Sequence, residues 1–501
     1  MLQAIPRPAP PYTTTSRAAT EPAGTARQVY FDLLDDGGTS GQNAGQNAAS
    51  RTFLEAQLDA TRALTADLPA DMRAIAAWIE HNNEQVGHQY RAYLAERHAG
   101  APRRYFTAKS HALHFLKSVA PTKLVDGAWL YGLLPHWRDA RFTPLIRIYL
   151  EELGEGVPDK NHVLLYKQLL AAHDCGQWQD LDDNHFIQGA IQLSLAAHAG
   201  DFLPEVIGFN LGYEQLPLHL LIAAYELNEL GIDPYYFTLH VTVDNADTGH
   251  AKKSLQGLQD ALPRAGDANA FYQRVIDGYK LNMLGAGTTS VIAAFDLDEE
   301  LISVFRKKSA VGKFAHSDYC RVAQRTVSDW LADPAQIPAF LDALVNAGWI
   351  RRNEDPKNSR FWKLIQGDRA EMFGVFSAYE QQLLHDWIAG PAGYPGSGQT
   401  PRTLSYKARQ RLHDTLGGQA YDRPPGDAAR GIFRRHYGSG ASGASGGQDD
   451  FSSELRVLEE TLSSLPGKQE AMTMLVQLMS PARHHTSAGL MATRIFTSLL
   501  P

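Results

Sequence analysis

The chain has 501 residues, of which 44% are apolar, a share ordinary for a globular protein but spread over too long a chain for one ordinary hydrophobic core. Its formal net charge of −8 disfavours nucleic acid or an anionic membrane as the main partner, because both favour a basic surface. The two cysteines, Cys175 and Cys320, exclude a fold organised by disulfide bonds, and a cytoplasmic protein is expected.

The first 50 residues show little of the pattern of a packed element. Residues 1–27 are rich in proline, alanine and threonine, and residues 37–50 are small and polar. These compositions are typical of disorder and of linkers, so residues 1–50 are expected to form a disordered segment and linker. They contain no apolar stretch of a signal peptide, and no later segment reaches the roughly 18 apolar residues that would predict a membrane span.

Helical periodicity dominates the next part of the chain. Apolar residues recur at three- and four-residue spacing, and no convincing strand alternation occurs, so an all-α bundle is predicted over residues 51–295. Residues 296–390 indicate an accessory region of short helices with proline and aspartate breaks. Residues 391–501 combine Gly/Ser/Pro linkers with C-terminal helices.

The first polar interruption of an apolar helical run is Asp126–Gly127, inside KLVDGAWLYGLL. An Asp-Gly pair is unfavourable in the middle of a helix, so it needs a reason. The pair indicates a metal-ligand role, close helix packing or a simple helix break.

The second interruption lies in EELGEGVPDKNHVLLY, residues 151–166. An apolar helix ends here in carboxylates, two glycines and a proline follow, and a helix restarts at Asn161–His162. A carboxylate and the imidazole of His162 are candidates to face a common point. Because the interruption removes helical spacing as a guide, the carboxylate stays open among Glu151, Glu152 and Glu155. A helix end followed by a loop is the plain alternative.

The third interruption is HVTVDNADTGHA, residues 240–251. At about 100° per residue, a helix would place on one face the four polar residues His240, Asp244, Asp247 and His250. Apolar neighbours imply burial, and buried ionisable groups must pair or bind a metal. The alternative is a helix end and a turn, in which Asp244 or Asn245 caps the next helix and Gly249 ends the first.

Two of these stretches resemble motifs of the haem-oxygenase-like di-iron oxidases and oxygenases, a family of iron-containing redox enzymes. The likeness rests on ELGEG…NH at 152–162 and on H-x-x-x-D-N-x-x-x-G-H at 240–250, and it covers roughly residues 105–285. It implies a haem-oxygenase-like helical bundle in which three core helices hold two iron ions that react with O2.

Carried over residue by residue, the resemblance implies the metal ligands Glu152, His162, His240 and Asp244. The family's first core helix usually offers a glutamate, but residues 107–149 contain none, so Asp126 is the best substitute. For the last ligand, His250 is favoured over Asp247, which lies nearer the family's usual spacing. Glu214, beside an apolar helix, is a candidate catalytic or pocket group.

Two histidine pairs elsewhere receive structural interpretations. His111 and His114 lie between lysines and are expected on a structural or solvated face. His484 and His485 stand alone near the C-terminus and are expected in a surface loop.

The resemblance implies an O2-dependent oxygenase that acts on a small amine or amino-acid-derived substrate in natural-product biosynthesis, with N-oxygenation favoured. Oxidative C–C cleavage or decarboxylation at the same site and a non-catalytic helical scaffold remain the alternatives. The expected partners are a small-molecule substrate and an external electron donor, with a homodimer as a candidate assembly.

Overall fold

The computed structural model describes residues 24–35, 44–243, 249–367, 369–391 and 451–500, and this part of the chain is predominantly helical. Its only strands are β1 (Arg321–Val322) and β2 (Arg325–Thr326), which pair antiparallel with Arg321 opposite Thr326. The predicted all-α fold class is confirmed. None of the described helices has the length and apolar character needed to cross a membrane.

The helices up to residue 283 carry the polar interruptions seen in the sequence. The α-helices are α1 (Ala26–Asp35), α2 (Ala44–Thr61), α3 (Ile75–His98), α4 (Lys109–Ser118), α5 (Ala120–Lys123), α6 (Thr143–Glu152), α7 (His162–Ala172), α8 (Ile187–Ala197), α9 (Leu203–Tyr213), α10 (Leu218–Glu229), α11 (Tyr235–Val243), α12 (His250–Ala261) and α13 (Ala268–Lys280). Short 3₁₀ helices span Met72–Ala74, Ala128–His136, Ala140–Phe142, Gly154–Gly156, Pro158–Lys160, Asp183–His185 and Leu281–Met283.

The α-helices of residues 288–389 have lengths from 5 to 16 residues. They are α14 (Thr288–Ala293), α15 (Leu297–Gly312), α16 (Val327–Leu331), α17 (Ile337–Asn346), α18 (Arg360–Ile365) and α19 (Ala378–Ala389), with 3₁₀ helices at Pro334–Gln336 and Pro356–Asn358. The C-terminal helices are α20 (Phe451–Ser464), α21 (Lys468–Leu478) and α22 (Ser487–Leu499).

The expectation of a disordered segment and linker over residues 1–50 is wrong for residues 26–35 and 44–50, which are helical. Val29 and Tyr30 of α1 are buried against the bundle. The backbone N–H groups of Ala26 and Arg27 donate to the carboxylate of Asp183, at 3.1 and 2.8 Å. A carboxylate far along the chain therefore caps the start of α1, and no local pattern could reveal it.

The buried apolar side chains of the described residues form two hydrophobic cores. The first core draws on α1, α2, α6, α8, α9, α12, α13, α21 and α22, and includes Trp129, Phe209 and Phe496. The second core draws on α4, α7, α10, α11, α15, α17 and α19, and includes Tyr166, Phe237 and Trp387. The accessory helices therefore share a core with α7 and α11, whereas the C-terminal helices share one with α6.

Candidate metal centre

Asp126 lies in a turn between α5 and the 3₁₀ helix Ala128–His136. Gly127 has a φ of +79°, a left-handed conformation that glycine adopts without strain. The Asp-Gly pair thus ends one helical segment and starts another, and the turn leaves the Asp126 side chain buried. The predicted interruption of the helix is confirmed.

The carboxylate of Asp126 is held from several sides. The hydroxyls of Tyr213 and Tyr236 each donate a hydrogen bond of 2.8 Å, one to Oδ1 and one to Oδ2. Nε2 of His240 lies 3.0 Å from Oδ2, and Nζ of Lys123 lies 3.9 Å from Oδ1. Burial opposes the charge, but Lys123 and His240 outweigh it and hold the pKa of Asp126 well below its ordinary value. Asp126 is therefore a buried anion.

The loop from residue 152 to residue 162 has the break predicted from its glycines and proline. Helix α6 ends at Glu152, and α7 begins at His162 after the N-cap residue Asn161, whose side chain accepts a hydrogen bond from the backbone N–H of Leu164. Oε2 of Glu152 lies 2.5 Å from Nδ1 of His162, and both side chains are buried. Among the three candidate acids, Glu152 is thus the one that faces His162, whereas Glu155 is exposed.

His240 and His250 lie on different helices, so the interpretation of residues 240–250 as one helix face is wrong. Helix α11 ends at Val243, and His250 is the first residue of α12, with Gly249 as its N-cap. Asp244 and Asp247 lie outside the described residues. The helix-end alternative therefore holds for the described residues on either side of 244–248, except that Gly249 and not Asp244 or Asn245 is the N-cap of α12. Both imidazoles are buried.

The ring of His240 has a defined orientation. Its Nδ1 lies 2.8 Å from the backbone oxygen of Tyr236, an atom that can only accept, so Nδ1 donates. The remaining nitrogen, Nε2, faces the Asp126 carboxylate. Without a cation between them the two atoms would be facing acceptors in a buried site, so the pair needs either a proton on Nε2, which then donates to Asp126, or a metal ion.

His250 lies among three carboxylates. Its Nδ1 lies 2.8 Å from Oε2 of Glu214 and 3.3 Å from Oε1 of Glu152, and its Nε2 lies 2.9 Å from Oε2 of Glu151. Glu214 follows the last residue of α9 and is buried. The candidate catalytic group Glu214 is therefore placed beside a candidate metal-binding nitrogen.

The described ligand-type side chains form two buried clusters that share one carboxylate. One consists of Asp126, Glu152, His162 and His240, and the other of Glu152, Glu214 and His250. Within each cluster one potential ligand atom from each residue lies within 4.8 Å of the others. Carboxylate oxygen with imidazole nitrogen is a donor set suited to iron, manganese or zinc, so the residues fit a metal centre.

Glu151 is partly exposed and contacts the outer nitrogen of His250. Lys253 lies 2.5 Å from the same carboxylate. Burial opposes the negative charge of Glu151, but hydrogen bonds from His250 and Lys253 lower the pKa of Glu151 below its ordinary value. With the Nε2 proton donated to Glu151, Nδ1 is the nitrogen left for a metal.

We expect Glu151→Ala to weaken metal binding at the cluster that contains His250 by about ten- to a hundredfold, because the imidazole loses the partner that fixes its tautomer. Titration of the metal-free protein with Co(II), followed by absorbance, measures the change. Glu155→Ala, which changes an exposed acid four residues further along the chain, is the control. Equal affinities for the two variants would contradict this role of Glu151.

The expectation of a surface loop at His484–His485 is wrong for His484, which is buried, with Nδ1 3.1 Å from Nδ2 of Asn161. His111 has a structural role, as predicted. Its Nε2 donates to the backbone oxygen of Ile292 at 2.9 Å, and its ring stacks on Phe295.

Comparison with known proteins supports the interpretation of the clusters. Residues 113–282 match the model of a family described as iron-containing redox enzyme. The matched range includes every residue of both clusters. No curated protein and no solved structure matches the chain. The match confirms the resemblance predicted from the sequence, and it supports an oxidoreductase.

Proposed function

Taking residues 113–282 as an iron-containing redox enzyme, we propose that the chain is an O2-dependent, non-haem di-iron oxygenase. The observation that carries the proposal is the position of Glu152, which belongs to both buried clusters. A carboxylate shared by two adjacent clusters would place one anionic ligand within reach of each of two bound metal ions.

The chain's own residues would neutralise and orient the two ions. Three carboxylates, those of Asp126, Glu152 and Glu214, leave one net positive charge on a pair of divalent ions. The imidazoles of His162 and His240 have ring centroids 4.2 Å apart and close one side of the first cluster. Bound ferrous iron would supply the electrons that activate O2, chemistry that no side chain here can provide.

Exclusion of water from the centre follows from its aromatic surroundings. The ring of Tyr236 lies 4.6 Å from that of His240 and 4.7 Å from that of Tyr166, centroid to centroid. Burial of this kind strengthens the electrostatic interactions around the ions and protects reactive species from water.

For the substrate we propose a small amine or amino-acid-derived molecule that is oxygenated on nitrogen, in a natural-product pathway, with electrons from an external donor. The support is the family resemblance together with the carboxylate-rich centre. Product analysis by mass spectrometry tests it, since an oxygen atom from ¹⁸O2 on nitrogen is expected. Loss of a carbon fragment instead would indicate oxidative cleavage and contradict N-oxygenation.

Anaerobic loading with Fe(II) tests the di-iron proposal itself. We expect both clusters to fill and the loaded protein to consume O2, and we expect His162→Ala and His240→Ala to lose iron from the first cluster. His81→Ala, which changes an exposed histidine of α3, is the control. Iron binding near zero in the unmodified protein, or unchanged loading in both cluster variants, would refute the proposal.

A further inference from the structure

The C-terminal helices contact the loop that carries Glu152 and His162. The hydroxyl of Tyr149, three residues before Glu152, donates a 2.6 Å hydrogen bond to the backbone oxygen of Met479. Nε of Arg494 donates to the backbone oxygen of Gly156 at 2.8 Å. Both contacts join this loop, or the helix leading into it, to a segment more than 300 residues later.

Asn161 is the centre of a third contact. Its Oδ1 accepts from the backbone N–H of Leu164 and caps α7, so its Nδ2 is free to donate elsewhere. Nδ2 lies 3.2 Å from the backbone oxygen of Leu153 and 3.1 Å from Nδ1 of His484. One side chain therefore joins the residue after Glu152, the start of the helix that begins at His162, and the C-terminal segment.

The ring of His484 can accept the hydrogen bond from Asn161. The ring is buried, and burial, together with the neighbouring His485, holds the pKa of His484 well below its ordinary value. Because the amide nitrogen Nδ2 of Asn161 can only donate, Nδ1 of His484 carries no proton and accepts this hydrogen bond.

Helix α22 also packs directly on the loop backbone. A Cβ placed on Gly156 would lie 2.3 Å from the backbone oxygen of Leu490 and 2.6 Å from Cγ of Arg494. The close approach leaves no space for a side chain between α22 and the loop. If α22 served only to cover the apolar side chains of the first core, neither this close backbone contact nor the hydrogen bond between His484 and Asn161 would be needed.

We infer that residues 468–499 form part of the scaffold of the metal centre, and that His484 is a positioning residue that orients His162 through Asn161. The inference rests on the proposed function, because it concerns the geometry of the same centre. It extends the centre beyond residues 113–282, the range that matches the family model.

The test compares His484→Leu with His484→Gln and with His485→Leu in the full chain, using Co(II) as the probe. His484→Leu roughly keeps the volume but leaves Nδ2 of Asn161 with only the backbone oxygen of Leu153 as an acceptor, so we expect about tenfold weaker Co(II) binding and an altered absorption spectrum. His484→Gln restores an acceptor oxygen and should recover most of the affinity. His485→Leu, at the half-buried neighbour that contacts Lys167, should match the unmodified protein.

A second variant guards against loss of folding in His484→Leu. Arg494→Met keeps an unbranched side chain at this half-buried position but has no N–H group to donate to Gly156, so it should also weaken Co(II) binding. Unchanged Co(II) affinity and spectrum in folded His484→Leu and in Arg494→Met would overturn the inference while leaving the proposed function intact. Failure of the unmodified protein to bind Co(II) or Fe(II) would overturn the proposed function and the inference with it.

Discussion

Glu152→Gln is expected to abolish iron binding at both clusters. In the part of the chain that the structure describes, Glu152 is the one side chain common to both clusters, and glutamine keeps its shape while removing its charge. Each ion then loses an anionic ligand in a buried site, where an uncompensated positive charge is costly. The measurement is iron content after anaerobic loading and desalting.

Two comparisons sharpen this result. His250→Ala should lose only the ion held with Glu214 and retain the ion held by Asp126, His162 and His240. Glu155→Gln changes an exposed acid in the same loop and should bind iron as the unmodified protein does. Retention of one ion by Glu152→Gln would show that the two clusters do not depend on a shared carboxylate.

Gly154→Ala is expected to destabilise the fold and the centre together. Gly154 has a φ of +62°, and a Cβ there would lie 2.4 Å from the backbone carbon of Lys160 and 2.6 Å from the backbone nitrogen of Asn161. Left-handed backbone costs an L-residue about 1 to 2 kcal/mol, and overpacking against backbone adds about 1 to 3 kcal/mol. Relief of the clash would displace the residues just before His162.

The matched control for this change is Gly231→Ala. Gly231 has a similar φ of +69°, but nothing lies within 4 Å of its added Cβ. Gly231→Ala should therefore lower the free energy of unfolding only by the cost of the left-handed backbone, without the overpacking cost, and should keep the metal affinity. Urea unfolding of the metal-free proteins and Co(II) titration give both quantities. Equal losses in the two variants would show that the close contact at Gly154 has no role.

The parts of the centre that depend on local sequence could be predicted. Asp126–Gly127 interrupts a helix because the pair is unfavourable there, and the glycines and proline after Glu152 force a break before His162. Both signals are properties of a few adjacent residues. Both signals can therefore be recognised in the sequence without knowing how the rest of the chain packs.

The parts that depend on tertiary packing could not be predicted. Helical periodicity treated residues 240–250 as one helix, although α11 ends at Val243 and His250 starts α12. The sequence indicates Glu214 only as a catalytic or pocket group, because nothing in its local sequence distinguishes a ligand from a helix cap. Glu214 reaches the centre because α9 packs beside α12. The contact of His484 with Asn161 spans 323 residues, so only the fold reveals it.

The first cluster takes its residues from both hydrophobic cores, so metal binding there affects the stability of the fold. Glu152 extends from α6 of the first core, whereas His162 and His240 extend from α7 and α11 of the second. An ion held by all three would cross-link the cores, so that part of its binding energy becomes cooperativity between them. At a free metal concentration about 100 times Kd, such linkage adds about 2.7 kcal/mol to the native state. Iron would then stabilise the fold as well as take part in the reaction.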